Sequence, residues 1–171
     1  MPSTQFDAVA ETQRLKSLLE PLIGCFERLL HLLEQERQAL KTRNTLQMEE
    51  MARQIEEVLF EIKQLDKARQ VHSTRMGQAL GLAENAMNLK DLDQAMGGET
   101  GLLEFRHRLR TRIDEADRSN RENQAIFKGV LVATEALLRA LKEGTQGPAA
   151  SYDRRGFRQS GPGYHFLSKQ F

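Results

Sequence analysis

The chain is predicted to be all-α, and three observations carry that reading. Apolar residues recur at helical spacing over long stretches: Leu15, Leu18, Leu22, Cys25, Leu29 and Leu32 fall 3-4-3-4-3 apart, a heptad seam. Ala, Leu, Glu, Gln, Lys and Arg dominate, with only 6% aromatics, 12 glycines and 4 prolines in 171 residues, the composition of long helices. No run of β-branched and aromatic residues reads as a strand. The predicted architecture is an elongated antiparallel helical bundle of three long helices, with one short crossover helix and an extended C-terminal tail. The bundle should occupy 1–143 and the tail 144–171.

The first helix is expected over about 6–42. Beside its seam runs a second stripe, Leu19, Phe26, Leu33 and Leu40, so its apolar face is broader than a two-stranded coiled coil needs. Pro21 lies inside this pattern and predicts a kink or break near Glu20. Arg43-Asn44-Thr45 reads as a tight connection, with Asn44 and Gln47, or Thr45 alone, capping a second helix over about 46–80. That helix has the seam Met48, Met51, Ile55, Val58, Ile62, Leu65, Arg69, His72 and Met76, which turns polar at Arg69 and His72. Both helices are on the order of 50 Å long, and their matched lengths predict a hairpin. Asn88 caps a short helix over about 89–96 that Gly97-Gly98 ends, and Thr100 caps a third long helix over about 101–142.

The third long helix divides sharply. Its seam is Leu102, Phe105, Leu109, Ile113, Ala116, Asn120, Asn123, Phe127, Val130, Thr134, Leu137 and Leu141. From Glu104 to Gln124 only 4 of 21 residues are apolar, whereas 12 of 17 are from Ala125 to Leu141. In an up-down-up bundle the apolar half should lie beside Leu29–Leu40 of the first helix and Met48–Val58 of the second. Three such helices cannot bury so much apolar surface, and a contiguous exposed patch marks a partner site. Methionines suit a surface that adapts to several sequences. The expected ligand is an amphipathic helix, on Ile126, Phe127, Val130, Leu131, Thr134, Leu137, Leu138 and Leu141. A fourth element or a second copy of the chain could cover the same residues, so a homodimer is a further expectation.

Charge and chemistry exclude other classes. With 25 basic and 24 acidic residues the net charge is +1, which argues against nucleic-acid binding and against a polybasic membrane-surface protein. No secretory signal or membrane span is visible, and one cysteine, Cys25, forms no internal disulfide, so a soluble cytoplasmic protein without membrane insertion is expected. Glu104-Phe-Arg-His107 is one Glu-x-x-His motif without the second that a di-iron site needs. His31 lacks the following lysine and glycine of a phosphotransfer histidine, and His72 sits in a seam. The sequence has no P-loop, no glycine-rich dinucleotide turn and no Gly-x-Ser-x-Gly elbow, so no enzyme, metal or cofactor is expected. The basic run Arg106–Arg112 is offset by Glu104, Asp114, Glu115 and Asp117 and reads as a charge-laced helix surface. Asn120 and Asn123 occupy seam positions where asparagine fixes register. The tail carries Tyr152, Phe157, Tyr164, Phe166 and Phe171 with four basic residues against one acidic, and reads either as a binding segment or as one whose rings pack back on the bundle.

Four stretches carry a resemblance to a known family. They are Leu33-Glu-Gln-Glu-Arg-Gln-Ala-Leu40; Val58-Leu-Phe-Glu-Ile-Lys-Gln-Leu-Asp-Lys-Ala-Arg69; Asn120-Arg-Glu-Asn123 leading into an apolar helix end; and Tyr152-Asp-Arg-Arg-Gly156 in the tail. In order and spacing the chain resembles the FlgN family of flagellar type III export chaperones over about 15–156. The resemblance implies a cytoplasmic chaperone without ATPase activity. It would bind the C-terminal helical segments of the hook–filament junction proteins FlgK and FlgL and deliver them to the export gate, the cytoplasmic domain of FlhA. By the same resemblance Tyr152, with Asp153 and Gly156, matches the tail motif associated with gate docking. A structural coiled-coil dimerisation protein is the alternative from a different class, and a histidine phosphotransfer module is a third.

Overall fold

The structure is a computed structural model that describes residues 7–83 and 88–145. Those residues form four helices: α1 (Ala8–Thr42), α2 (Thr45–Ala79), α3 (Leu89–Ala95) and α4 (Leu102–Thr145), with no strand among them. Each start is written in a polar cap. The Asp7 carboxylate accepts from the Val9 and Ala10 amides at 3.1 Å. Asn44 accepts from the Gln47 amide at 3.1 Å, and Asn88 accepts from the Lys90 and Asp91 amides. These side chains satisfy amides that the first helical turn leaves open. Between α1 and α2 the chain reverses on one left-handed residue, Arg43 at φ 54°. Gly97 and Gly98 hold positive φ where α3 ends, which frees the chain to turn into α4. The Thr100 hydroxyl accepts from the Leu102 amide at 3.3 Å and donates to the buried Asp93 carboxylate.

Two units divide the chain, 1–130 and 131–171. In the first, α1 and α2 form an antiparallel hairpin. His72 reaches the Glu11 carbonyl at 3.0 Å, and Arg28 pairs with Glu61 further along. The first stretch of α4 runs parallel to α1: Arg108 meets Glu20, Arg112 meets Glu27, and Asn123 meets Leu33 and Arg37. The α1 helix therefore packs against both α2 and α4, which is why most of its two apolar stripes is buried, Leu15, Leu22, Cys25, Leu29 and Leu32 with Leu19, Leu33 and Leu40, while Leu18 and Phe26 are half-buried. One cluster joins Leu15, Leu19, Leu22 and Ile23 to Met76, Leu89, Leu92, Leu102 and Leu109. The second joins Cys25, Leu29, Leu32 and Leu33 to Met51, Val58 and Ala116, and Phe26, Ile62 and Leu65 pack against both.

Three expectations are corrected. Pro21 neither breaks nor ends α1, which is continuous across it. Pro21 and Ser17 are both exposed, so the N–H that proline lacks is missing on the solvent side of the helix rather than in the core. On α4 the buried positions are Leu102, Leu109, Ala116 and Asn123, strictly seven apart, while Ile113 and Asn120 are exposed. Their companions are instead Phe105, Arg112 and Ser119, all half-buried. A single ridge with polar companions suffices because α1 has only one side left to offer. Finally, it is Ser119–Asn123, the polar stretch, that stands level with Leu33–Arg37 of α1, while Phe127, at the start of the apolar half, stands beside Leu40 and Met48.

One polar atom in this core lacks a partner. Ser73 is buried, and its hydroxyl makes no hydrogen bond among the described residues. Ser73→Ala removes a desolvated hydroxyl at little loss of volume and is expected to stabilise the fold by about 1 kcal/mol. A higher urea midpoint at unchanged slope checks this; a lower midpoint would show that the hydroxyl is satisfied in solution.

Candidate helix-docking surface

Asn123 sets the register of α4 on α1. It is 2% exposed, donates to the Leu33 carbonyl and the Glu36 carboxylate, both at 2.7 Å, and accepts from Arg37 Nε at 3.0 Å. Arg37 spends its other nitrogens on Ser119 Oγ at 2.9 Å, Glu122 at 2.8 Å and Glu34 at 3.1 Å. Every strong donor and acceptor of the buried amide is used, so one alignment of the two helices satisfies the set. Arg108 grips Glu20 with two nitrogens at 3.0 and 2.8 Å and, by hydrogen bonding, holds that carboxyl below its usual range. That pair is exposed and orients α4 more than it stabilises it.

Next to Asn123, a groove of about 370 Å³ opens between the three helices, lined by Leu40, Met48, Ala52 and Phe127 with Glu36, Glu49 and Gln124 at its polar edge. Here the first unit brings Phe127, 45% exposed, together with α1 and α2. Of the two methionines expected on this surface, Met51 is buried in the core and only Met48 lines the groove. The seam pattern announced Met48 and Leu40 as apolar. It could not mark Ala52, Glu36 or Gln124 as lining residues, because a groove depends on interhelical spacing.

The apolar half of α4 continues the same seven-residue position through Val130 and Leu137. A period of 3.6 adds Phe127, Leu131, Thr134, Leu138 and Leu141 as an adjoining stripe, together about a third of the circumference. Lys128, Glu135, Arg139 and Lys142 share one flank of it. Leu131 is 47% exposed, Leu137 58%, Leu138 53% and Leu141 56%. Thr134 is also exposed, and Ile126 and Val130 are half-buried. Tyr152, Asp153 and Gly156, the motif expected to dock the export gate, lie outside the described residues, as does the rest of the tail beyond Thr145.

The groups weighed for chemistry are otherwise engaged. The buried Cys25 thiol lies 3.6 Å from Glu61, the exposed His31 ring bonds Gln35 at 3.1 Å, and His72 bonds the α1 backbone. Among the described residues no cluster of His, Cys, Asp and Glu could hold a metal ion, and no helix is long and apolar enough to cross a membrane. What the molecule presents is a bundle whose longest helix carries an exposed apolar face.

Comparison with known proteins gives one match. The model of the family described as FlgN protein matches residues 1–159, while no curated protein and no solved structure matches the chain. The match covers the bundle and the Tyr152–Gly156 motif alike, and the chain belongs to the FlgN family, a family of flagellar export chaperones.

Proposed function

We propose that this protein holds the C-terminal amphipathic helical segments of the hook–filament junction proteins FlgK and FlgL on the apolar half of α4. It would keep them from assembling prematurely and deliver them, in the cytoplasm, to the type III export gate through the cytoplasmic domain of FlhA. The client residues are Ile126, Phe127, Val130, Leu131, Thr134, Leu137, Leu138 and Leu141, and the gate residues are Tyr152, Asp153 and Gly156. One observation carries the reading: leucines 131, 137, 138 and 141 stand about half exposed on one helix, in a pattern that matches a partner helix. The work is binding and release rather than catalysis. A client segment that folds on docking offsets part of its contact energy with ordering entropy. An affinity of about 8 to 12 kcal/mol, micromolar to nanomolar, allows both capture and hand-over.

Light scattering after size exclusion, with and without a FlgK C-terminal peptide, tests the reading. A 1:1 complex is expected. A tight dimer indifferent to the peptide would instead make α4 a dimerisation helix, as its continued heptad seam also permits. Tyr152→Ala is expected to leave client affinity unchanged while weakening association with the FlhA cytoplasmic domain. Equal loss of both would place the tail in the client site.

A further inference from the structure

The four arginines between Arg106 and Arg112 on α4 fall into two pairs, and only one pair is used by the fold. Arg108 and Arg112 are committed to Glu20, Glu27 and Glu115. Arg106 makes no ion pair among the described residues, and Arg110 has only Asp114, at 4.0 Å. Arg106 and Arg110 are one turn apart and line a separate groove of about 390 Å³ with Arg69 of α2. Arg69 takes a seam position where apolar residues belong. Its side chain is 19% exposed, and Asp66 Oδ1 fixes it by accepting from Nε at 2.8 Å and pairing with one terminal nitrogen at 2.7 Å. The second terminal nitrogen is left without an ion pair among the described residues. The floor is apolar: Leu89 and Leu109 are buried, and Ile113 is 41% exposed.

We propose that this α2–α3–α4 groove is a second docking surface, for an acidic aliphatic segment of a partner protein: one or two Leu or Ile side chains seated on Ile113 and flanked by Asp or Glu that reach Arg106, Arg110 and Arg69. Among the described residues, three guanidinium groups against Asp66 and Asp114 leave the groove net positive, and guanidinium forks match carboxylates in pairs. The chain's own tail does not fit, since it carries Arg154, Arg155, Arg158 and Lys169 against Asp153. A nucleic acid fits poorly as well, because the floor is aliphatic and the whole chain is near neutral. The surface is independent of the apolar half of α4 and does not rest on the client reading.

The probe is a fluorescein-labelled peptide of the repeat Glu-Ile-Asp-Leu-Glu, titrated with full-length protein in the Leu131→Asp background, which disables the α4 face. Binding is expected to persist there, to weaken at least about tenfold in Arg106→Glu/Arg110→Glu, and to weaken as much when Gln and Asn replace the acids of the peptide. Ile113→Ser is expected to weaken it with no change in salt dependence. Lys63→Glu/Lys67→Glu, an equal charge change on exposed α2 residues, should leave binding within about twofold once screening is matched. The proposal is overturned by no binding, by no effect of the arginine reversals, by equal loss in the lysine control, or by displacement by inorganic phosphate or single-stranded DNA at matched ionic strength. Binding that disappears with Leu131→Asp alone would assign the peptide to the α4 face and also reject the second surface.

Discussion

Replacing Leu131 and Leu138 together by aspartate is expected to reduce affinity for a FlgK or FlgL C-terminal segment by more than about 100-fold while the far-ultraviolet circular dichroism keeps its helical form. Both side chains are about half exposed on one stripe of α4, so the fold loses little packing when they go. Aspartate in place of leucine costs an exposed helix about 0.5 kcal/mol per site in propensity. Binding should lose far more. Seating a leucine against a partner helix contributes about 1.5 to 3 kcal/mol, and a carboxylate in its place must be desolvated. Peptide titration followed by fluorescence anisotropy checks the affinity. If helicity collapses along with binding, these leucines belong to the core and the client surface lies elsewhere.

Asn123→Ala is expected to destabilise the bundle by about 2 to 3 kcal/mol. The substitution removes the second donor to the Leu33 carbonyl and a partner from Glu36 and Arg37, and leaves a small void at a site only 2% exposed. Loss of buried hydrogen bonds, some to charged groups, supports that magnitude. Chemical denaturation measures it. A companion variant, Asn120→Ala one turn away, should change stability by less than about 0.5 kcal/mol, because Asn120 is exposed. Equal effects from the two would mean that the asparagine network does not hold the register.

The heptad spacing, the caps at Asn44, Asn88 and Thr100, and the division of the last helix into a polar and an apolar half were legible because each depends on residues a few positions apart. Continuity through Pro21 was not legible, since it depends on which side of α1 faces solvent. The two candidate asparagines were indistinguishable in sequence. They separate only once α1 lies between its neighbours and α4 packs by a single ridge, which buries Asn123 and exposes Asn120. The same selection divides the Arg106–Arg112 run: in sequence its local acidic neighbours offset it as a whole, whereas in the fold Arg108 and Arg112 find partners on α1 while Arg106 and Arg110 face the α2–α3 side. For the docking surface, the surplus of apolar residues after Ala125 makes exposure of Leu131, Leu137 and Leu138 legible, whereas the neighbours that line the groove beside Phe127 are not, because they depend on how the helices are spaced.

Amide hydrogen exchange across the whole chain, with and without a saturating FlgK C-terminal segment, shows where the client sits. Amides of 126–141 are expected to slow at least about tenfold on binding, with little change in α1 and α2 away from Leu40 and Met48. A stable complex in which 126–141 exchange at their free rate, with protection elsewhere, would contradict docking on the apolar half of α4.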